Sequence, residues 1–252
     1  DLRVRPAADL ARAPPLNGEY LQVSNIVPLD NRTHRSLRVR AEASARLGDN
    51  QRFVQVAANE FPLLVVHYPI LLSKHPETGQ FYCGAVLGFD EGENLFLTEG
   101  QGHEGYRPLN LQRMPFYAAG RDIAIDLEHP RVSADEGTAL FTESGAPTEY
   151  LQSILAAFRD LSAGLEMTKA FIETLLKLKL VEPIDMDLRF DDGTRRNITG
   201  CYTVSQDALA KLSDAEVVDL FRRGYLKPIY LMIASLKQLP VLAQRKNGRL
   251  RQ

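Results

Sequence analysis

Residues 148–176, TEYLQSILAAFRDLSAGLEMTKAFIETLL, and residues 185–204, DMDLRFDDGTRRNITGCYTV, together decide the fold class. In the first segment Leu151, Ile154, Leu155, Phe158, Leu161 and Leu165 recur at helical spacing, and Phe171, Leu175 and Leu176 continue the stripe. Thr148 follows Pro147 and suits an N-cap, with Glu149 in the first turn complementing the helix dipole. Gly164 predicts a division into two helices, since glycine costs about 1 kcal/mol against alanine in a helix interior. In the second segment, the β-favouring runs 185–190 and 197–204 flank Asp191-Asp192-Gly193, a hairpin signal. A long apolar-striped helix beside a hairpin predicts an α+β fold. Its sheet is mixed or antiparallel and built from hairpins, with the long helical segment and C-terminal helices packed on it.

Working outward, residues 81–89 (FYCGAVLGF) and 94–98 (NLFLT) flank Asp90-Glu91-Gly92-Glu93 and read as another hairpin. His75-Pro76-Glu77-Thr78-Gly79 is a turn in front of it. Residues 61–72 predict one or two buried strands bent at Pro69, and 122–127 (DIAIDL) a half-buried strand. Downstream, Ser205 precedes a helix over 206–212, and Ser213-Asp214-Ala215-Glu216 forms a capping box for a helix that Gly224 closes. A last helix over 230–237 is expected to stop before Pro240. Arg245, Lys246, Arg249 and Arg251 then read as a solvated tail. Near the N-terminus, Pro6, Pro14, Pro15 and Pro28 interrupt any helix, and residues 37–47 read as a short helix or an extended arm over the core. The organisation is an N-terminal arm over 1–22, one domain over 23–243 and a basic tail over 244–252.

Composition works mainly by exclusion. The chain has 252 residues, 44% hydrophobic, with 30 basic against 32 acidic side chains and a formal net charge of -2. That balance excludes a polycation gripping nucleic acid through bulk charge. With no tryptophan and 8% aromatics, a base-stacking platform is disfavoured as well. Cys83 and Cys201 are the only cysteines, too few for a disulfide scaffold, and both fall in strand-like runs where a thiol acts as a small hydrophobe. No apolar run approaches the roughly 20 residues of a membrane span; residues 62–72 (PLLVVHYPILL) come nearest and contain His67 and two prolines. The chain begins at Asp1, so a removed leader stays open, and cytoplasm is the default compartment.

Familiar catalytic motifs are absent. The sequence has no G-x-x-x-x-G-K-[ST], no G-x-S-x-G, no C-x-x-C and no H-E-x-x-H, so neither a cofactor nor a metal site is expected. His67, set in an apolar run beside Tyr68, reads as a general base or, more commonly, as a core histidine bonded to backbone. His34, His75, His103 and His129 fall in turns and are expected to be exposed. Arg113 with Tyr106 suits an anionic ligand, because the guanidinium is a planar fork for carboxylate or phosphate, or else staples a loop to the sheet. Glu60 completes the candidate set of Glu60, His67, Tyr68, Tyr106 and Arg113. Asp90, Glu91, Glu93, Glu99 and Glu104 lie in a stretch without basic residues, and residues 122–149 form a second acidic stretch. They read as soluble hairpin tips, or as a patch for a cation or a basic partner.

Several of these stretches also carry a family likeness. Ala58-Asn59-Glu60-Phe61-Pro62, His67-Tyr68-Pro69-Ile70 and Thr78-Gly79-Gln80-Phe81-Tyr82 resemble the SapC family. So do Gly92-Glu93-Asn94-Leu95-Phe96, Tyr106-Arg107-Pro108, Arg113-Met114-Pro115-Phe116 and Gly200-Cys201-Tyr202-Thr203-Val204. The likeness runs in order over about residues 23–243. It implies a link to surface-layer export or peptide transport, and a genetic neighbourhood of halogenase-like flavoproteins, cupin-like proteins and TonB-dependent receptors. It supplies no catalytic residues.

The leading expectation is therefore a soluble accessory or binding protein of a nutrient-uptake or protein-modification system. Its partners would be a halogenase-like flavoprotein or an outer-membrane receptor system, with a small ligand and a homodimer left open. The alternative is an enzyme with an unfamiliar site around His67, using non-haem iron and an oxo-acid. That alternative requires His67 to share a polar pocket with at least two of Glu60, Tyr68 and Arg113.

Overall fold

Thr148 starts the long helix as its sequence requires, with its side-chain oxygen accepting the N–H of Leu151. This helix, α3 (Glu149–Lys177), runs about 43 Å at 1.5 Å per residue. It passes unbroken through Gly164, contrary to the expected division. A Cβ at Gly164 would come within 2.1 Å of Asn59 Oδ1 and 2.8 Å of the Ala57 Cβ. Glycine is present there because another segment lies against the helix, not because the helix ends. One turn later Thr168 Oγ1 donates to the Gly164 carbonyl (2.6 Å) and accepts the Ala58 N–H (2.8 Å), which fixes that segment in place.

The structure is a computed structural model that describes residues 25–120 and 122–251. The expected arm over residues 1–22 lies outside the described residues. The main sheet has five antiparallel strands. They are β3 (Phe53–Gln55), β4 (Ile70–Lys74), β5 (Phe81–Val86), β12 (Val181–Arg189) and β13 (Arg195–Val204), in the order β12-β13-β4-β5-β3. The Asp191-Asp192-Gly193 turn joins β12 to β13 as read, with a register irregularity between Ile184 and Met186. The other hairpin differs from expectation. His75-Pro76-Glu77-Thr78-Gly79 is itself the hairpin turn, joining β4 to β5, and the 94–98 run does not pair with β5 as a strand. Instead β6 (Leu97–Thr98) pairs with β7 (Gly102–His103). Residues 61–64 form a short helix, α1 (Phe61–Leu64), whose first turn tolerates Pro62 because the N–H groups there need no intrahelical partner.

Two smaller sheets complete the β structure. One is β1 (Ile26–Pro28), β9 (Asp122–Asp126) and β8 (Phe116–Ala119); the other is β10 (Val132–Ser133), β2 (Arg38–Val39) and β11 (Thr138–Ala139). A one-turn helix, α2 (Leu109–Gln112), precedes β8. Helix α3 serves two cores. Its N-terminal Leu151 and Ile154 pack with Val39, Phe116, Ile125 and Leu140, whereas its C-terminal Phe171, Ile172 and Leu175 join the core of the five-stranded sheet.

After the short α4 (Gln206–Leu209), the Ser213–Glu216 capping box starts α5 (Asp214–Arg222), and Gly224 follows its C-cap at φ 74°. Helix α6 (Leu226–Ser235) is succeeded by α7 (Gln238–Leu250), which carries Pro240 in its first turn instead of stopping before it. The expected solvated tail is thus largely the last helix, and two of its cations, Arg245 and Lys246, pair with acids of the domain. Lys246 Nζ bonds Asp90 (2.7 Å) and Glu93 (2.5 Å), and Arg245 holds Glu104 through two N–H groups (2.7 and 2.6 Å). The acidic run over 90–104 therefore meets a basic partner inside the chain.

Both cysteines are free and buried. Cys83 pairs with Leu72, and Leu72 with Tyr202, so Cys201 points to the opposite face from Cys83. His34 and His129, expected in solvent, are buried: His34 Nδ1 accepts the Asp30 N–H, and His129 Nδ1 accepts that of Arg131. No helix among the described residues is long and apolar enough to cross a membrane.

Candidate functional site

Glu60 is buried at the end of a 3-10 turn (Ala58–Glu60), and its carboxylate is fully engaged. It accepts the N–H of Ala57 (3.0 Å), the N–H of Leu109 (2.8 Å) and the Tyr106 hydroxyl (3.1 Å). Burial pushes its pKa up and these bonds oppose the shift. Tyr68 donates to the Tyr106 carbonyl (2.7 Å), and burial raises both phenols. Glu60, Tyr106 and Tyr68 thus form one connected support. Because Leu109 begins α2, that support fixes the short helix whose last turn presents Asn110 and Arg113.

His67 is half-buried beside the Tyr68 ring, at 5.7 Å between centroids, and lies against Gly105, where a Cβ would approach its ring to 2.8 Å. No hydrogen bond joins His67 to Glu60, Tyr68 or Arg113 among the described residues. His103, which carried no signal in sequence, lies 6.3 Å from Tyr68 and stacks on Phe96 at 6.1 Å and 18°. Both of its ring nitrogens are buried without a hydrogen-bond partner. Burial, with the Arg107 charge, brings its pKa down to about 4, so the ring is neutral at pH 7.

A second unforeseen cluster centres on Asp49, which is 1% exposed and bridges Arg107 (2.7 Å) and the equally buried Arg131. The remaining Asp49 capacity is filled by the Ser44 N–H (2.8 Å), while Arg131 also donates to the carbonyls of Arg40 (2.7 Å) and Glu42 (2.8 Å). Every partner is a structural group of the chain, so this is a folding clamp. Its members lie too far apart in sequence for any spacing rule to join them.

Arg113 stands elsewhere, on the wall of a groove of about 1270 Å³ between α3, the β4–β5 hairpin and the β8–β9 sheet. Leu161 and Ile172 of α3 are buried at the groove, with Phe81, Phe158 and Leu165 adding apolar surface. Arg113 itself is only 8% exposed. Its Nε donates to Asn110 Oδ1 (2.7 Å) and its Nη1 to the Phe116 carbonyl (2.6 Å). The guanidinium carbon lies 5.3 Å from the Tyr117 ring centroid and 5.8 Å from that of Phe158. No carboxylate pairs with it among the described residues, and burial draws its pKa down. Glu60, His67, Tyr68 and Tyr106 do not line this groove.

A smaller cavity of about 300 Å³ lies among Asn59, Met167, Phe171 and Tyr225. Exposed apolar side chains occur on α1 (Leu63) and just after it (Val66), on α5 (Val218, Phe221) and on α6 (Tyr230). No group of three His, Cys, Asp or Glu side chains among the described residues is placed to hold a metal ion.

The SapC family model matches residues 29–242. Neither a curated protein nor a solved structure matches the chain. The matched span covers all of the main sheet, the long helix and the groove between them, and on that match the chain belongs to the SapC family.

Proposed function

We propose that this chain is a binding protein that holds a small ligand in the groove along α3. It would serve as an accessory component of a nutrient-uptake or protein-modification system, the setting implied by the family resemblance. The observation that carries the reading is the groove itself, about 1270 Å³ in volume, apolar along α3 and bearing one buried, uncompensated guanidinium. Ligand sites combine an apolar lining with a few placed polar groups, which is the composition found here. The halogenase-like flavoprotein or receptor system of the resemblance would be the partner that delivers or receives the ligand.

An enzyme centred on His67 is the second reading, and the nearby His103, with two unpartnered ring nitrogens, is the observation in its favour. It asks for Glu60 as an acid or base, and that carboxylate is occupied by two backbone N–H groups and a tyrosine.

Native mass spectrometry combined with elemental analysis of the purified full chain separates the two. The binding reading expects a non-protein mass that departs on denaturation, or a thermal shift with small amphiphiles, and no stoichiometric transition metal. One bound iron per chain, or no response to any ligand, would overturn it.

A further inference from the structure

We infer that the ligand of this groove is an amphipathic carboxylate, seated with its headgroup on the free edge of Arg113 and its apolar body along α3. This inference rests on the binding reading above and names its ligand class. An arginine carries five N–H donors. Arg113 spends one from Nε on Asn110 and one from Nη1 on Phe116, and the others meet no acceptor among the described residues. A buried cation with neither a counter-charge nor a full set of acceptors is costly, and an anionic ligand removes both deficits.

The geometry narrows the anion. The Tyr117 and Phe158 rings lie within cation–π distance of the guanidinium, so the unspent donors on its edge are what remains for recognition. An edge of in-plane N–H groups matches a planar carboxylate through paired hydrogen bonds. The charge count points the same way. Lys74, another cation on the groove, sits over the Phe81 and Tyr202 rings at 4.9 and 5.2 Å. Lys74, Arg159 and Lys169 are exposed, and the exposed acids Glu77, Asp122 and Glu173 match them in number. One buried positive charge suits one negative charge, whereas a phosphate dianion would carry one in excess.

The apolar part follows from the volume. A groove of about 1270 Å³ exceeds the roughly 300–1,000 Å³ of ordinary small-molecule pockets. Its buried floor of Leu161 and Ile172 is apolar, so a long aliphatic body fits it and a compact hydrophilic acid does not.

The test is isothermal titration of the full chain with dodecanoate, dodecanol and dodecyl phosphate, each below its aggregation concentration. Dodecanoate is expected to bind at least tenfold more tightly than the other two. Arg113→Met removes the charge while keeping an apolar side chain, and is expected to erase that preference while leaving dodecanol affinity within about twofold. Leu165→Trp fills the groove without touching Arg113, and is expected to abolish binding of all three even if the Arg113 variant folds poorly. Equal affinity for dodecanoate and dodecanol, both lost in Leu165→Trp, would overturn the carboxylate assignment and leave the binding reading intact. A preference for dodecyl phosphate would overturn it likewise. No binding of any of the three overturns the ligand class; if the purified chain also carries no ligand, the binding reading falls with it.

Discussion

Gly164→Ala sets two physical effects against each other on α3. By helix propensity alone the change stabilises, by about 1 kcal/mol. The packing opposes it, because the new Cβ would lie 2.1 Å from Asn59 Oδ1 and 2.8 Å from the Ala57 Cβ. Asn59 can swing away only by giving up its bond to the Asp160 carbonyl (3.0 Å), a loss of about 0.5–1.5 kcal/mol. Ala57 has no side-chain torsion to relieve its contact, so backbone must move, at about 1–3 kcal/mol for overpacking. The net expectation is destabilisation by about 1–3 kcal/mol. Urea unfolding followed by far-UV circular dichroism at pH 7 and 25 °C reads this as a lower midpoint at unchanged slope. The neighbouring Ala163→Gly, at an exposed site, should cost about 1 kcal/mol from propensity alone. Opposite changes at adjacent positions would then both destabilise. A raised midpoint for Gly164→Ala would refute the claim that the Ala58–Glu60 turn lies against the helix.

Three further outcomes follow from buried charge. Asp49→Ala leaves the guanidinium of Arg131 buried without its counter-ion and should cost about 3–5 kcal/mol in the same urea assay; a loss under about 1 kcal/mol would show the clamp to be dispensable. His103 is held below its ordinary value of 6.5, at about 4, so its neutral form favours the folded chain. Its contribution is complete above pH 6.5 and is lost as pH falls towards 4, because the unfolded chain takes up the proton first. His103→Phe should flatten the stability profile over that window, and an unchanged slope would mean that His103 is not the group responsible. Lys246 is nearly buried against Asp90 and Glu93, so a double-mutant cycle of Lys246→Ala with Glu93→Gln should return a coupling of about 1–2 kcal/mol. A coupling near zero would mean that the acidic run and the last helix are merely neighbours.

The candidate site was legible in part. Arg113 and Tyr106 stood out as candidates in one mixed aromatic and basic stretch, and Glu60 and Tyr68 as neighbours of His67. Their division of labour was not readable. Glu60 reaches Leu109 across 49 residues to hold α2, and nothing local reports that bond. His103 gave no signal because two unpartnered ring nitrogens are a property of its surroundings alone. His34 and His129 are buried against expectation for a similar reason, since a turn position is silent about what packs over it.

Sequence by itself determined the elements whose causes are local. The Thr148 cap, the Ser213–Glu216 box, Gly224 and the Asp191–Gly193 turn each act within a few residues, and each appears where the residues place it. It also set the α+β class, because periodicity records which face must be buried. Tertiary structure decided what those faces meet. Gly164 continues a helix instead of ending it because a distant turn needs its missing Cβ, and the basic C-terminus is a docked helix because acids about 150 residues away neutralise it. The groove belongs wholly to that level: it exists only where α3 leaves one core for the other, and only burial there turns Arg113 from a surface cation into a charge in need of a partner.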